Sequence, residues 1–332
     1  RVYRVGNCGV ESFSNTEGEL LHLSLVNGFC SYCGEYEEAV AVTAENCDSL
    51  GFNEEHIGSY AIANAGQLYW FAAVVNSGYG NTAKNNAACA VLTDNIVVNK
   101  NLLKSDGELN GNGSGLKVWT PIGNKNDEYN GNFNGQGHTI SGLYINDRNY
   151  SYYGLFGMIG SKNATDMIIK NVGVVDSYFN GYNYVSAIAG GNYGTIENCY
   201  SSSTLKSVYR SAGIACNNSG TIRNCYNTGK IGDANTDTAC GIVGWNGGPV
   251  ENCYNTGTLI GSYASVGIGF GSFSGSSFNN CYILDNGSER PGTIMTAEQF
   301  ASGEVAYLLQ GEQADDVWGQ DLSKEGSLPV LG

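Results

Sequence analysis

The stretch that decides the fold is "ENCYNTG" at residues 251–257, with near-copies "ENCYSSS" at 197–203 and "RNCYNTG" at 223–229 and a shortened "NNCY" at 279–282. Cys199, Cys225, Cys253 and Cys281 thus recur 26, 28 and 28 residues apart. The same register extends upstream, where "IIKNVGVVDS" puts Val172 at the cysteine's place and "TISGLYIND" puts Leu143 there. A position that accepts Leu, Val or Cys points inward, because reduced cysteine packs as a small hydrophobe. The cysteines of this column are therefore expected as thiols rather than disulfides.

Each unit also carries a glycine-rich second strand: "GLFG" from Gly154, "AIAG" from Ala187, "GIAC" from Gly213, "GIVG" from Gly241 and "GIGF" from Gly267. A unit near 27 residues with short β-type stretches and no 3.6-residue periodicity excludes helical repeats, and it is too short for a propeller blade. It fits one turn of a right-handed parallel β-helix, with coils stacked ~4.8 Å apart. The expectation is an all-β solenoid of about seven turns, starting near "AVLTDNIVVN". Asn171, Asn198, Asn224, Asn252 and Asn280 should then align at a bend, their amides bonding from coil to coil.

A solenoid needs its ends covered. "NAGQLYWFAAVVNSG" reads as a capping helix, with Asn64 and Gln67 as its start, Leu68, Phe71, Ala72 and Val75 on one face and Gly78 as its stop. "TAEQFASGEVAYLLQG" repeats the logic, from Thr296 and Gln299 to Gly311. The resulting division is a small Cys-containing segment at 1–50, a capping-helix region at 51–86, the β-helix repeats at 87–290 and a C-terminal cap at 291–332.

The balance of 16 basic and 31 acidic side chains, formally −15, argues against nucleic-acid and anionic-membrane partners. No apolar run is long enough to cross a bilayer, so membrane insertion is not expected. The start at Arg1, without a methionine, fits a trimmed or exported chain and equally a fragment.

"NGQGHTISGL", the "GLFG"-type strands and the "NCYNTG" copies resemble the GLUG-motif repeats of bacterial cell-surface proteins, including those that accompany IgA-specific peptidases. The similarity runs from about Ala61 onward. It implies a secreted or cell-surface β-helical module for adhesion or display, within a longer chain. It brings no catalytic residue with it. The zinc-peptidase pattern HExxH is absent, for four residues after His56 in "NEEHIGSY" stands Tyr60.

Candidate sites are few. Tyr200, Tyr226, Tyr254 and Tyr282 follow the inward residue and should form an outward stripe, either a mere cover for the bend or a platform for host glycans or surface proteins. Further tyrosines in "DRNYSYYG" and "GYNYVS" extend the idea. Cys30 and Cys33 form a C-x2-C pair that could hold a structural zinc with Cys8 and His22, Cys47 being the substitute ligand; a disulfide or plain thiols are the alternatives. No cofactor is otherwise required. Asp147 and Asp176, placed at equivalent points of adjacent coils with Arg148 beside them, would be the carboxylate pair of a polysaccharide-cleaving enzyme. His138 reads as a packed or capping imidazole. The leading expectation is binding without catalysis, with the enzyme and a pure spacer as alternatives.

Overall fold

The computed structural model describes residues 3–5, 11–14, 20–21, 25–31, 34–271, 275–285, 287–288 and 291–332. Most of them wind into a parallel β-helix. Its first sheet stacks eight parallel strands, from Ser59–Ile62 to Ser277–Asn279, so the solenoid has about eight coils, one more than the spacing predicts. In the central coils the chain visits five sheets in turn. For one coil these strands are Thr195–Glu197, Tyr200–Ser201, Thr204–Ser207, Arg210–Ala212 and Ala215–Asn218.

Stacking fixes side-chain columns. In the first sheet Phe133, Ile169, Ile196, Ile222, Val250 and Phe278 lie in register and run up the interior. After the bend come Val172 and the four cysteines, all buried in the same core. Each thiol of this column meets the carbonyl two residues earlier, as Cys225 does with Arg223 at 3.2 Å. None of the four is in a disulfide. The glycine-rich strand supplies Ile188, Ile214, Ile242 and Ile268, fully buried.

The bend that joins the first and second sheets requires left-handed backbone, and Asn171, Asn198, Asn224, Asn252 and Asn280 all have φ between 51° and 55°. Asparagine tolerates this region better than other side-chain-bearing residues. A second set of asparagines explains the rest of the repeated motif. Asn192, Asn218 and Asn246 are buried in the fifth sheet, where Asn192 donates to Asn218 and Asn218 to Asn246 at 2.8 Å, as Asn227 does to Asn255 in the second. Each also folds back on its own glycine two residues on, for example Gly229 N–H to Asn227 Oδ1 at 3.2 Å. The "N-x-G" ending is thus an internal amide ladder. Glycine is required where the facing strand passes, since a Cβ on Gly241 would sit 2.6 Å from Asn255 Cγ.

Leu143 is inward, but one sheet later than the spacing suggests. The third coil advances five positions from Asn134 to Thr139 where the next advances three from Lys170 to Gly173, the surplus forming a Gln136–Gly137 kink of positive φ. Leu143 therefore stacks on Ser177, whose hydroxyl oxygen accepts its N–H at 3.0 Å.

Helix α1, Ala65–Asn76, starts at Asn64, which accepts from Gln67 N at 3.0 Å. It is not a one-faced lid. Ten of its twelve residues are buried, because the hairpin Leu25–Val26/Phe29–Cys30 and Tyr36 cover the side turned from the solenoid. The hairpin turn Asn27–Gly28 abuts the helix start so closely that a Cβ on Gly66 would meet Gly28 O. At the other end α2, Ala297–Ala301, opens with the full Thr296–Gln299 capping box and α3, Glu304–Gln310, ends at Gly311. Gly303, at φ 88°, breaks what reads as one helix into two.

A candidate binding edge and the covered tyrosine ladder

The ladder Tyr200–Tyr226–Tyr254–Tyr282 is in register. Successive rings of the first three lie 4.8 and 4.9 Å apart and within 4° of parallel. They point outward, yet solvent does not reach most of them: Tyr226, Tyr254 and Tyr282 are 8%, 0% and 7% exposed. The C-terminal segment lies over them, with Met295, Phe300, Val305, Leu309 and Trp318 packed on the rings. Tyr254 donates its hydroxyl to Pro329 O at 2.6 Å. Burial raises the hydroxyl pKa of Tyr226 and Tyr254. The expectation of an exposed stripe is corrected here: stacked aromatics are as good a seat for the chain's own cap as for a ligand.

Exposed tyrosines form a different column. At the corner between the third and fourth sheets stand Tyr150, Tyr182, Tyr209 and Tyr263, exposed by 65%, 41%, 46% and 81%. Backbone bonds set their order: Tyr182 N–H to Tyr150 O at 2.8 Å, Tyr209 N–H to Tyr182 O at 3.1 Å, and Tyr263 N–H to Asp237 O at 2.9 Å in the coil between. The Tyr182 and Tyr209 rings meet edge to face at 5.0 Å, and their hydroxyls are 3.4 Å apart. That hydrogen bond raises the Tyr182 hydroxyl pKa. Tyr150 and Tyr182 belong to the "DRNYSYYG" and "GYNYVS" loops. Tyr209 and Tyr263 had no motif to mark them, since loops of unequal length precede each.

Asp147 and Asp176 are not equivalent. Asn146 pairs with Asn180, which sets Asp147 after the third-sheet strand, whereas Ser141 pairs with Val175, which sets Asp176 before it. Asp176, at φ 45°, stacks at the level of Gly142. Asp147 holds its own loop, accepting from Asn149 N at 2.9 Å, and Arg148 Nε donates to Asn180 Oδ1 at 3.0 Å. Asp176 lines a groove of about 450 Å³ shared with Asp106, Lys230 and a row of Ser and Thr hydroxyls.

Cys8, His22 and Cys33 lie outside the described residues. Cys30 is buried in the N-terminal hairpin, and Cys47 is buried in an apolar cluster with Val42, Ala61 and Val91. Among the described residues no group of three or more His, Cys, Asp or Glu is gathered as metal ligands. His56 is fixed by two contacts, Nδ1 to Asn53 Oδ1 and Nε2 to Gln136 Nε2, both 2.8 Å. His138 lines the same groove as His56.

The insertion between the second and third coils carries chemistry that no motif announces. Its Leu102 packs on Tyr144 and Tyr178 of the third sheet. Glu108 bonds both Lys206 and Lys230 at 2.7 Å. Those two lysines hold the Glu108 carboxyl down at about 2.

No protein-family model matches the chain. Over 83 residues, 24% of the chain, it is 35% identical to a "Putative Gly-rich membrane protein" of Evansella cellulosilytica. Over 95 residues, 28% of the chain, it is 37% identical to the Halomucin of Haloquadratum walsbyi. These matches span 9% and 1% of the two proteins' own lengths. A solved structure of a "putative immunoglobulin A1 protease" from Bacteroides ovatus superposes with a TM-score of 0.47 at 16% identity, over 82% of this chain and 92% of that one. No helix among the described residues is long and apolar enough to cross a membrane.

Proposed function

We propose that the chain is a non-catalytic binding module of an extracellular or surface-attached protein, which engages glycans or proteins along its Tyr150–Tyr182–Tyr209–Tyr263 edge. The observation that carries this reading is the exposure of four aromatic rings along one corner, on three successive coils and, past a coil that presents Asp237 there, on a fourth, while the chain covers its other tyrosine column with its own cap. Exposed aligned aromatics are a recurrent recognition feature, since a ring offers apolar area at small entropic cost and its hydroxyl offers a hydrogen bond. The GLUG-like repeats and the names of the two relatives, a membrane protein and a mucin-named one, agree with a place at the cell envelope. The register separation of Asp147 from Asp176 speaks against the carboxylate-pair alternative.

The test is binding of the intact chain to a broad glycan array and to immobilised host surface proteins, repeated with Tyr182→Ala plus Tyr209→Ala. At least a tenfold loss of a reproducible hit is expected. A hit that survives the double substitution rules out the edge. A blank on both surfaces leaves a spacer role.

A further inference from the structure

Where the first sheet turns into the second, the outer surface is concave and polar. Two adjoining hollows of about 750 and 640 Å³ share Gln136 and Asn171 and form one groove. Leu50 to Asn53 with Glu55 and His56 wall one half, and Asp315 to Val317 with the Val330–Leu331 strand wall the other. Its floor is the asparagine ladder, in which Asn198 Nδ2 donates to Asn171 Oδ1 at 3.1 Å and Asn171 Nδ2 to Asn134 Oδ1 at 3.2 Å. The ladder stops there: Asn198 Oδ1 is buried and has no partner.

We infer that this groove is a second binding site, for a neutral, linear, polyhydroxylated chain such as an oligosaccharide laid across the coils. The length fits an extended ligand, because Thr93, Gln136, Asn171, Asn198 and Tyr226 line it from five successive coils. Four coil steps of ~4.8 Å span roughly 19 Å. The chemistry fits hydroxyls, which both donate and accept and so can answer amide oxygens and amide N–H groups alike. The Asn198 side chain lines the groove with its amide oxygen unpaired, so turning that amide toward a ligand hydroxyl gives up no hydrogen bond of the oxygen. Charge selects against a polyanion, which would meet Glu55, Asp315 and Asp316 against the single Lys170. The site is separate from the tyrosine edge, so it stands or falls independently of the function proposed above.

The experiment is calorimetric titration of the whole chain with the β-1,4-linked hexasaccharides of glucose, xylose and mannose, and with hexagalacturonate. The groove variant is Asn198→Gly plus Tyr200→Phe, Tyr200 lining the groove beside Asn198; glycine keeps the left-handed backbone of position 198, so the coil retains its path. Binding of at least one neutral hexasaccharide is expected, weakened tenfold or more in the groove variant. Should the groove variant unfold, perturbation of the Asn171 and Asn198 side-chain amide resonances in the unsubstituted chain decides instead. The inference is overturned if no neutral hexasaccharide binds, if hexagalacturonate binds more tightly than all of them, or if binding follows the corner pair and ignores the groove pair. That last outcome would leave the tyrosine edge standing.

Discussion

Asn224 gives its side-chain amide to Gln313 Oε1 at 3.0 Å instead of to Asn198, the next residue down its own ladder. Asn198 Oδ1 is left unpaired in consequence. On the same residue Trp318 Nε1 approaches Asn224 Oδ1 at 3.4 Å, while Asn280 Nδ2 donates to Leu308 O at 2.8 Å. The C-terminal cap therefore reads two registers at once, the outer edge of the asparagine ladder by hydrogen bonds and the tyrosine ladder by apolar packing.

Removing the anchor should release the cap without melting the coils. Trp318 is 7% exposed and packs against Tyr226 and Tyr254 at ring separations of 6.0 and 5.7 Å. Trp318→Ala is expected to weaken docking by about 3 kcal/mol. Limited proteolysis within residues 311–330 should accelerate while the far-UV signal of the β-helix is retained. Simultaneous loss of both would show that cap and coils form one cooperative unit.

The asparagine ladder separates backbone conformation from hydrogen bonding. Asn252 has φ 51° and accepts from Asn280 Nδ2 at 2.8 Å. Asn252→Gly loses the bond alone and should cost about 1 kcal/mol. Asn252→Ala loses the bond and strains the backbone, costing about 2 kcal/mol or more. Thermal midpoints in the order Asn, Gly, Ala are expected; equal midpoints for Gly and Ala would show that the left-handed backbone is not limiting there.

Acidification should free the insertion that covers the third sheet. Lys206 and Lys230 lower the Glu108 carboxyl from about 4.5 to about 2, so its contribution is present above pH 4.5 and is lost as pH falls toward 2. Glu108 is 38% exposed, and screening keeps the effect modest. Protection of the amides at residues 102–110, taken relative to their intrinsic exchange rates, should fall across that window, and in Glu108→Gln it should already be low at pH 6 and nearly independent of pH. Unchanged protection between pH 6 and pH 2 would assign docking to the apolar contacts of Leu102 and its neighbours alone.

How much of this was legible follows from what repeats. The cysteine spacing predicted the parallel stack because the coils from Val172 to Cys281 obey it, and the asparagines at the bend and both helix starts were equally local signals. The covering of the tyrosine ladder was not legible. Cys253 and Tyr254 are neighbours in one motif, but the residues that bury Tyr254, Phe300 and Trp318, are 46 and 64 positions away and carry no repeat. The exposed edge escaped for the opposite reason: Tyr209 and Tyr263 sit in corner loops whose lengths differ from coil to coil, so no fixed spacing unites them. Misplacing Leu143 and pairing Asp147 with Asp176 came from the same source, loop lengths that register alone reveals.

Alkali tests the buried thiols. Cys216 and Cys240 share an apolar cluster with Ala212, Ala264 and Val266. Burial pushes the Cys240 thiol from 9.0 up to about 12. In the unfolded chain the same thiol ionises near pH 8.5 to 9, so the folded state binds a proton that the unfolded state has released. The contribution is complete below about pH 8.5 and is lost as pH rises toward 12, at up to roughly 1.4 kcal/mol per pH unit for one group. The thermal midpoint should therefore fall between pH 9 and 11, and Cys240→Ala, which removes the titrating group at the cost of a small cavity, should start lower at pH 7 but fall less steeply. A slope unchanged by that substitution would assign the alkaline loss to the other buried groups instead, Cys216 and the buried tyrosines among them, which burial raises in the same direction.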